Sequence, residues 1–95
     1  MRHHRNLRIA ELIREELGKF FAREFDFGDA IITIMDVEVS GDLTHARVKL
    51  GILPKEREPE IFLEVQKQTK NIQWQMIRTL NIRPVPRISF EIAAE

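Results

Sequence analysis

Two runs of alternating apolar residues flank a short turn, and this pattern most restricts what the chain can become. From Ile31 to Val39, the residues Ile31, Thr33, Met35, Val37 and Val39 fall on one face and Ile32, Ile34, Asp36 and Glu38 on the other. From Ala46 to Ile52, Ala46, Val48, Leu50 and Ile52 point one way and Arg47 and Lys49 the other. Ser40, Gly41 and Asp42 lie between them, residue types that bond or relax their own backbone into turns. The two runs therefore predict a β-hairpin with one apolar face, which the rest of the chain must cover.

Two segments can supply that cover. From Asn6 to Phe25, the residues Ile9, Ile13, Leu17, Phe20, Phe21 and Phe25 recur every three or four positions, and Arg8, Glu11, Glu15 and Lys19 take the opposite face, which predicts an amphipathic helix. Asn6 is its predicted N-cap, Asp26 to Gly28 its stop, and Glu15 and Lys19 an i,i+4 pair worth ~0.2 to 0.5 kcal/mol. Gly18 inside this helix costs up to ~1 kcal/mol against alanine, which suggests close packing on another element. Pro54 to Glu58 reads as a charged loop, and Pro59 with Glu60 as a helix start. The second cover runs from Glu60 to Leu80, with Ile61, Val65, Ile72, Met76 and Leu80 as its stripe. Its middle, Gln66 to Asn71, is wholly polar and predicts a kink or a break into two helices. Pro84 and Pro86 end helix formation, and Arg87 to Ile92 gives a third strand with Ile88, Phe90 and Ile92 on one face.

The expected fold class is α+β, in the order α-β-β-α(-α)-β, with a three-stranded sheet covered by helices on one face. Strand order stays open at this level. The 95 residues fall just under the ~100 to 150 typical of one domain, so residues 1–95 are read as a single unit. With 43% hydrophobic and 32% charged residues and no cysteine, the chain is neither disordered nor disulfide-stapled and has no thiolate nucleophile. No apolar run approaches the ~18 residues of a membrane helix, and the basic start lacks the apolar core of a signal peptide, so a cytoplasmic protein is expected.

Formal charge is zero, from 15 basic and 15 acidic residues, yet the charges are segregated. Met1 to Arg8 holds three arginines and no acid, Glu24 to Asp42 six acids and no base, and Val65 to Phe90 five bases and no acid. Such a dipolar chain either offers a polyanion one basic face or merely solubilises separate surfaces.

Several motifs resemble the ribosome-binding factor A family, small bacterial proteins with a K-homology-like fold of the second type. The resemblance runs from Arg5 and the segment Arg8, Ile9, Ala10 with Ile13, through Thr33, Ile34 and Asp36 to Ser40 with Asp42, Leu43 and Ala46, to Leu80, Arg83, Val85, Pro86, Ile88 and Phe90. The stretch VEVSGDLTHARV carries most of the specificity. The resemblance implies a monomeric factor, without catalysis or cofactor, that binds the small ribosomal subunit and its ribosomal RNA late in assembly and assists RNA maturation. Where the family has an Ala-x-Gly kink this chain has Gln68, Thr69 and Lys70, and where it tends to carry arginine this chain has Gln73 and Trp74.

The residues expected to bind RNA are Arg5, Arg8, Lys67, Lys70, Trp74, Arg78, Arg83 and Arg87. The bases would neutralise phosphates, the term that dominates RNA affinity and makes it salt-sensitive. Trp74 lies off the apolar stripe, so it either stacks on an unpaired base or covers the first helix or a neighbouring loop. Ser40 and Asp42 read as turn residues rather than as a hydrolytic pair with His45, because no oxyanion donor or pocket accompanies them. His3 and His4 lack the further ligands a metal site needs. The other readings are a small α/β-sandwich enzyme gripping phosphate through Arg83 or Arg87, and a protein-interaction module using the acidic hairpin face.

Overall fold

A computed structural model describes residues 4–94, with side chains from residue 5 onward. The expectation for His3 and His4 therefore falls outside the described side chains. Helix α1 spans His4–Glu24, strand β1 Ile31–Val39, β2 His45–Leu53, helix α2 Glu58–Lys67, α3 Thr69–Thr79 and strand β3 Arg87–Ile92. The single sheet has the order β1-β2-β3, with β1 antiparallel and β3 parallel to the central β2. All three helices lie against one face of it, giving the expected α+β domain.

The apolar stripes form the core. Ile9, Ile13, Leu17, Phe20 and Phe21 of α1, Ile61 and Val65 of α2, and Ile72 and Met76 of α3 are buried. Facing them are Val37, Val39, Ala46, Val48, Leu50, Ile52, Ile88 and Phe90 from the sheet. The Phe21 ring meets Phe25 edge-on at 5.2 Å and lies 6.1 Å from Phe90, joining the end of α1 to β3. The predicted break occurs at Gln68 and yields two helices. Thr69 Oγ1 donates to the Val65 carbonyl at 3.3 Å, the backbone competition expected of a polar mid-helix segment. Pro54 to Glu58 is more ordered than expected, with a 3-10 turn over Lys55–Arg57 leading into α2. Arg57 there donates to the Phe27 carbonyl and contacts Asp29 Oδ1 at 3.2 Å, tying the turn to the loop after α1.

Four local expectations are corrected. The first half of β1 has the opposite phase to the one read from alternation: Ile31 is 59% and Met35 54% exposed, while Ile32 and Ile34 pack on the core. The cause is a β-bulge, because Ile34 pairs with Leu50 and Asp36 with Lys49, leaving Met35 without a partner residue. Gly18 packs on no other element among the described residues, since a Cβ added there would meet no atom within 4 Å beyond its own stretch of helix. Asn6 is not a cap but lies inside α1, where Nδ2 donates to the Val39 carbonyl at 3.1 Å. Lys19 reaches Glu16 at 3.5 Å, three residues back, instead of Glu15. The expected turn stands: Ser40 Oγ is 2.7 Å from Asp42 Oδ1, and that oxygen accepts from the Thr44 hydroxyl at 2.8 Å and the Thr44 amide at 3.2 Å.

Candidate nucleic-acid interface

On α3, Lys70, Trp74 and Arg78 recur every four residues and so form one ridge, ~12 Å long at 1.5 Å per residue. All three are exposed, Trp74 to 58%. The phase is set by Ile72 and Met76, which turn inward onto the sheet and leave this ridge facing out. Ile77, 49% exposed and three residues beyond Trp74, extends its apolar surface. Lys67 ends α2 immediately before the break, and Arg83 is exposed in the loop following α3.

The ridge differs from Arg47, Lys49, Arg57 and Arg14 in what surrounds it. Arg47 on β2 lies 2.6 Å from Glu38 and 3.4 Å from Glu91, and Lys49 lies 3.5 Å from Glu38. The Arg47 hydrogen bond, then the Lys49 charge, hold the Glu38 carboxyl below its ordinary value. Glu60 and Asp29 likewise hold Arg57 in its charged form. Arg14 donates to the carbonyls of Ile34 and Met35 at 3.0 and 3.3 Å. Among the described residues, Lys67, Lys70, Arg78, Arg83 and Arg87 have no acid within ion-pairing distance, and α3 contains no acidic residue. Their charge is available to a ligand.

The eight expected residues do not share one surface. Ile88 and Phe90 of β3 face the helices, so Arg87 projects to the opposite, open face of the sheet, where it stands beside His45 in register. Arg8 lies on the outer side of α1, near Leu7, Leu12 and the acids Glu11 and Glu15. Arg5 is exposed in the first turn of the same helix. Lys70, Trp74 and Arg78 remain on one ridge, with Lys67 and Arg83 at the two ends of α3 in sequence.

Gln73 escaped the sequence reading. Its Nε2 donates to the Pro86 carbonyl at 3.0 Å, and its Oε1 accepts the Ile88 amide at 2.8 Å. Glutamine offers both a donor and an acceptor, so one side chain fixes α3 against the start of β3 and thereby sets the height of the ridge. The one available signal was its position beside Trp74, where the resemblance leads one to expect a cation.

A sequence profile described as Ribosome-binding factor A matches residues 5–94. Ribosome-binding factor A of Akkermansia muciniphila is 30% identical over 85 residues, covering 90% of this chain and 68% of that protein. The Xanthomonas euvesicatoria pv. vesicatoria protein of the same name is 32% identical over 88 residues, covering 92% and 68%. The crystal structure of ribosome-binding factor A from Thermus thermophilus superposes with a TM-score of 0.64 at 15% identity, over 97% of this chain and 96% of that one. A Thermotoga maritima protein solved by NMR and described as a candidate ribosome binding factor A gives 0.62 at 23% identity, over 94% and 83%. At such identities the two structures speak for the fold, whereas the profile and the sequence relatives settle kinship: this chain belongs to the ribosome-binding factor A family.

Proposed function

We propose that this protein is a non-catalytic, cytoplasmic, monomeric factor that binds ribosomal RNA on the small ribosomal subunit and assists late assembly and RNA maturation. The names of its relatives support ribosome association, and the family resemblance supports the small subunit. The single observation that carries the RNA reading is the α3 ridge, where Lys70 and Arg78 flank an exposed Trp74 and no acid among the described residues neutralises them. Phosphates would be neutralised by Lys67, Lys70 and Arg78, with Arg83 alongside, while the indole stacks on an unpaired base. Arg87, on the open face, and Arg5 and Arg8, on α1, would serve as peripheral contacts. Sucrose-gradient co-sedimentation with isolated subunits tests the reading. Preference for free small subunits over large subunits is the expected result, and equal binding to both would reduce the activity to general RNA affinity.

A further inference from the structure

Where the hairpin turn meets β2, three side chains are joined in a row. Asp42 Oδ1 accepts the Thr44 hydroxyl at 2.8 Å, and Thr44 Oγ1 lies 2.9 Å from His45 Nδ1. A hydroxyl has one hydrogen to give, and a charged carboxylate takes it in preference to a neutral imidazole nitrogen. Asp42 is such a carboxylate: hydrogen bonds from the Ser40 hydroxyl, then from the Thr44 hydroxyl and amide, bring its pKa down to about 2. His45 Nδ1 must therefore donate to Thr44 Oγ1, which leaves Nε2 as the ring nitrogen for a ligand.

The row ends beside a cation. His45 and Arg87 are register partners on β2 and β3, so their side chains leave the open face of the sheet one strand spacing, ~4.8 Å, apart. Both are exposed, and Ser89, two residues along β3 on the same face, adds an exposed hydroxyl. The other charged groups around the imidazole are Asp42 behind Thr44, Arg47 two residues along β2, and Glu38 and Glu91 on the flanking strands. Both glutamates are engaged by Arg47, at 2.6 and 3.4 Å. Arg87 is left without a counter-ion among the described residues.

We infer that His45 and Arg87 form a phosphate site on the open face, in which the guanidinium grips one phosphate oxygen and His45 Nε2 donates to another once the imidazole is protonated. Binding is therefore linked to proton uptake. Neutral His45, its hydrogen held on Nδ1 by Thr44, presents a lone pair at Nε2 and opposes an anion, whereas the imidazolium presents a donor. The Ser89 hydroxyl stands on the same face for a third oxygen. The site lies across the sheet from the α3 ridge and does not depend on the RNA reading.

The test is an NMR titration of the whole chain with dimethyl phosphate, a base-free diester of fixed single charge, at about pH 6 and about pH 8, either side of the range in which histidine changes charge. The backbone amides of His45 and Arg87 report on the site. Their shifts should saturate, with an affinity about threefold or more higher at the lower pH, the scale of one exposed charge contact. His45→Gln should keep weak binding that no longer depends on pH, and Arg87→Gln should lose binding at both values. Methyl phosphate, compared at the lower pH, separates the two sources of the ligand. Tighter binding of the diester marks a nucleic-acid backbone, and tighter binding of the monoester a free or terminal phosphate. Equal wild-type affinity at the two pH values, no saturable shift at His45 and Arg87, or undiminished binding in a well-folded Arg87→Gln would each overturn the inference.

Discussion

The side-chain carbonyl of Gln73 accepts the backbone amide of Ile88 at 2.8 Å, a bond from α3 to the start of β3 across fifteen residues of chain. The same side chain returns a hydrogen bond to Pro86, so the pair fixes where the candidate RNA ridge stands relative to the sheet.

Gln73→Ala should therefore cost about 1–3 kcal/mol, because a half-buried backbone donor loses its partner. Gln73→Glu keeps the acceptor for Ile88 and loses the donor to Pro86, and should fall between the two. Urea denaturation measures both. Wild-type stability in Gln73→Ala would show that water replaces the side chain without penalty.

Phe90 is buried at 7% exposure and its ring lies 6.1 Å from that of Phe21. Phe90→Ala should destabilise the fold by about 3–5 kcal/mol unless the site collapses. An unchanged melting temperature would show that β3 lies outside the cooperative core.

The hairpin turn should make stability acid-sensitive. Hydrogen bonds from the Ser40 hydroxyl, then from the Thr44 hydroxyl and amide, lower the Asp42 pKa from 3.8 to about 2. A depressed folded-state value contributes stability that is fully present above pH 3.8 and is lost as pH falls toward about 2. Asp42→Asn retains an acceptor oxygen and cannot titrate, so its stability should fall less over that interval. Glu38, held down by Arg47 and Lys49, leaves both proteins a residual slope of the same sign. Parallel pH profiles for the two would remove Asp42 from the account.

How much of this was visible in the sequence differs from element to element. Ala46, Val48, Leu50 and Ile52 alternate with charged or small neighbours, so the inward face of β2 could be read directly. In β1 the run from Ile31 to Met35 is apolar on both faces apart from Thr33, so alternation carries no phase there, and the bulge at Met35 is set by pairing with β2. The polar stretch around Gln68 marked the break between α2 and α3, but not whether it would bend or divide the helix. At the candidate site, Trp74 was legible as off-stripe because Ile72 and Met76 fix the helical phase. The separation of Arg87 from the α3 ridge was legible in the alternation of β3, because Ile88 and Phe90 take the face the helices cover and leave Arg87 on the other. Gln73 was illegible, because its partners are backbone atoms thirteen and fifteen positions away.

The salt dependence of RNA affinity, measured by titration for the wild type and single variants, tests the α3 ridge most directly. Lys67→Ala, Lys70→Ala and Arg78→Ala should each weaken binding and flatten the slope of log affinity against log salt by about 0.7. Trp74→Ala should weaken binding by about 1–3 kcal/mol at nearly unchanged slope, because stacking releases few counterions. Arg47→Gln with Lys49→Gln, on the open face and already paired with Glu38, should change neither. Loss of binding in that double variant, with affinity and slope intact in the α3 variants, would contradict the account and put the RNA on the opposite face of the sheet.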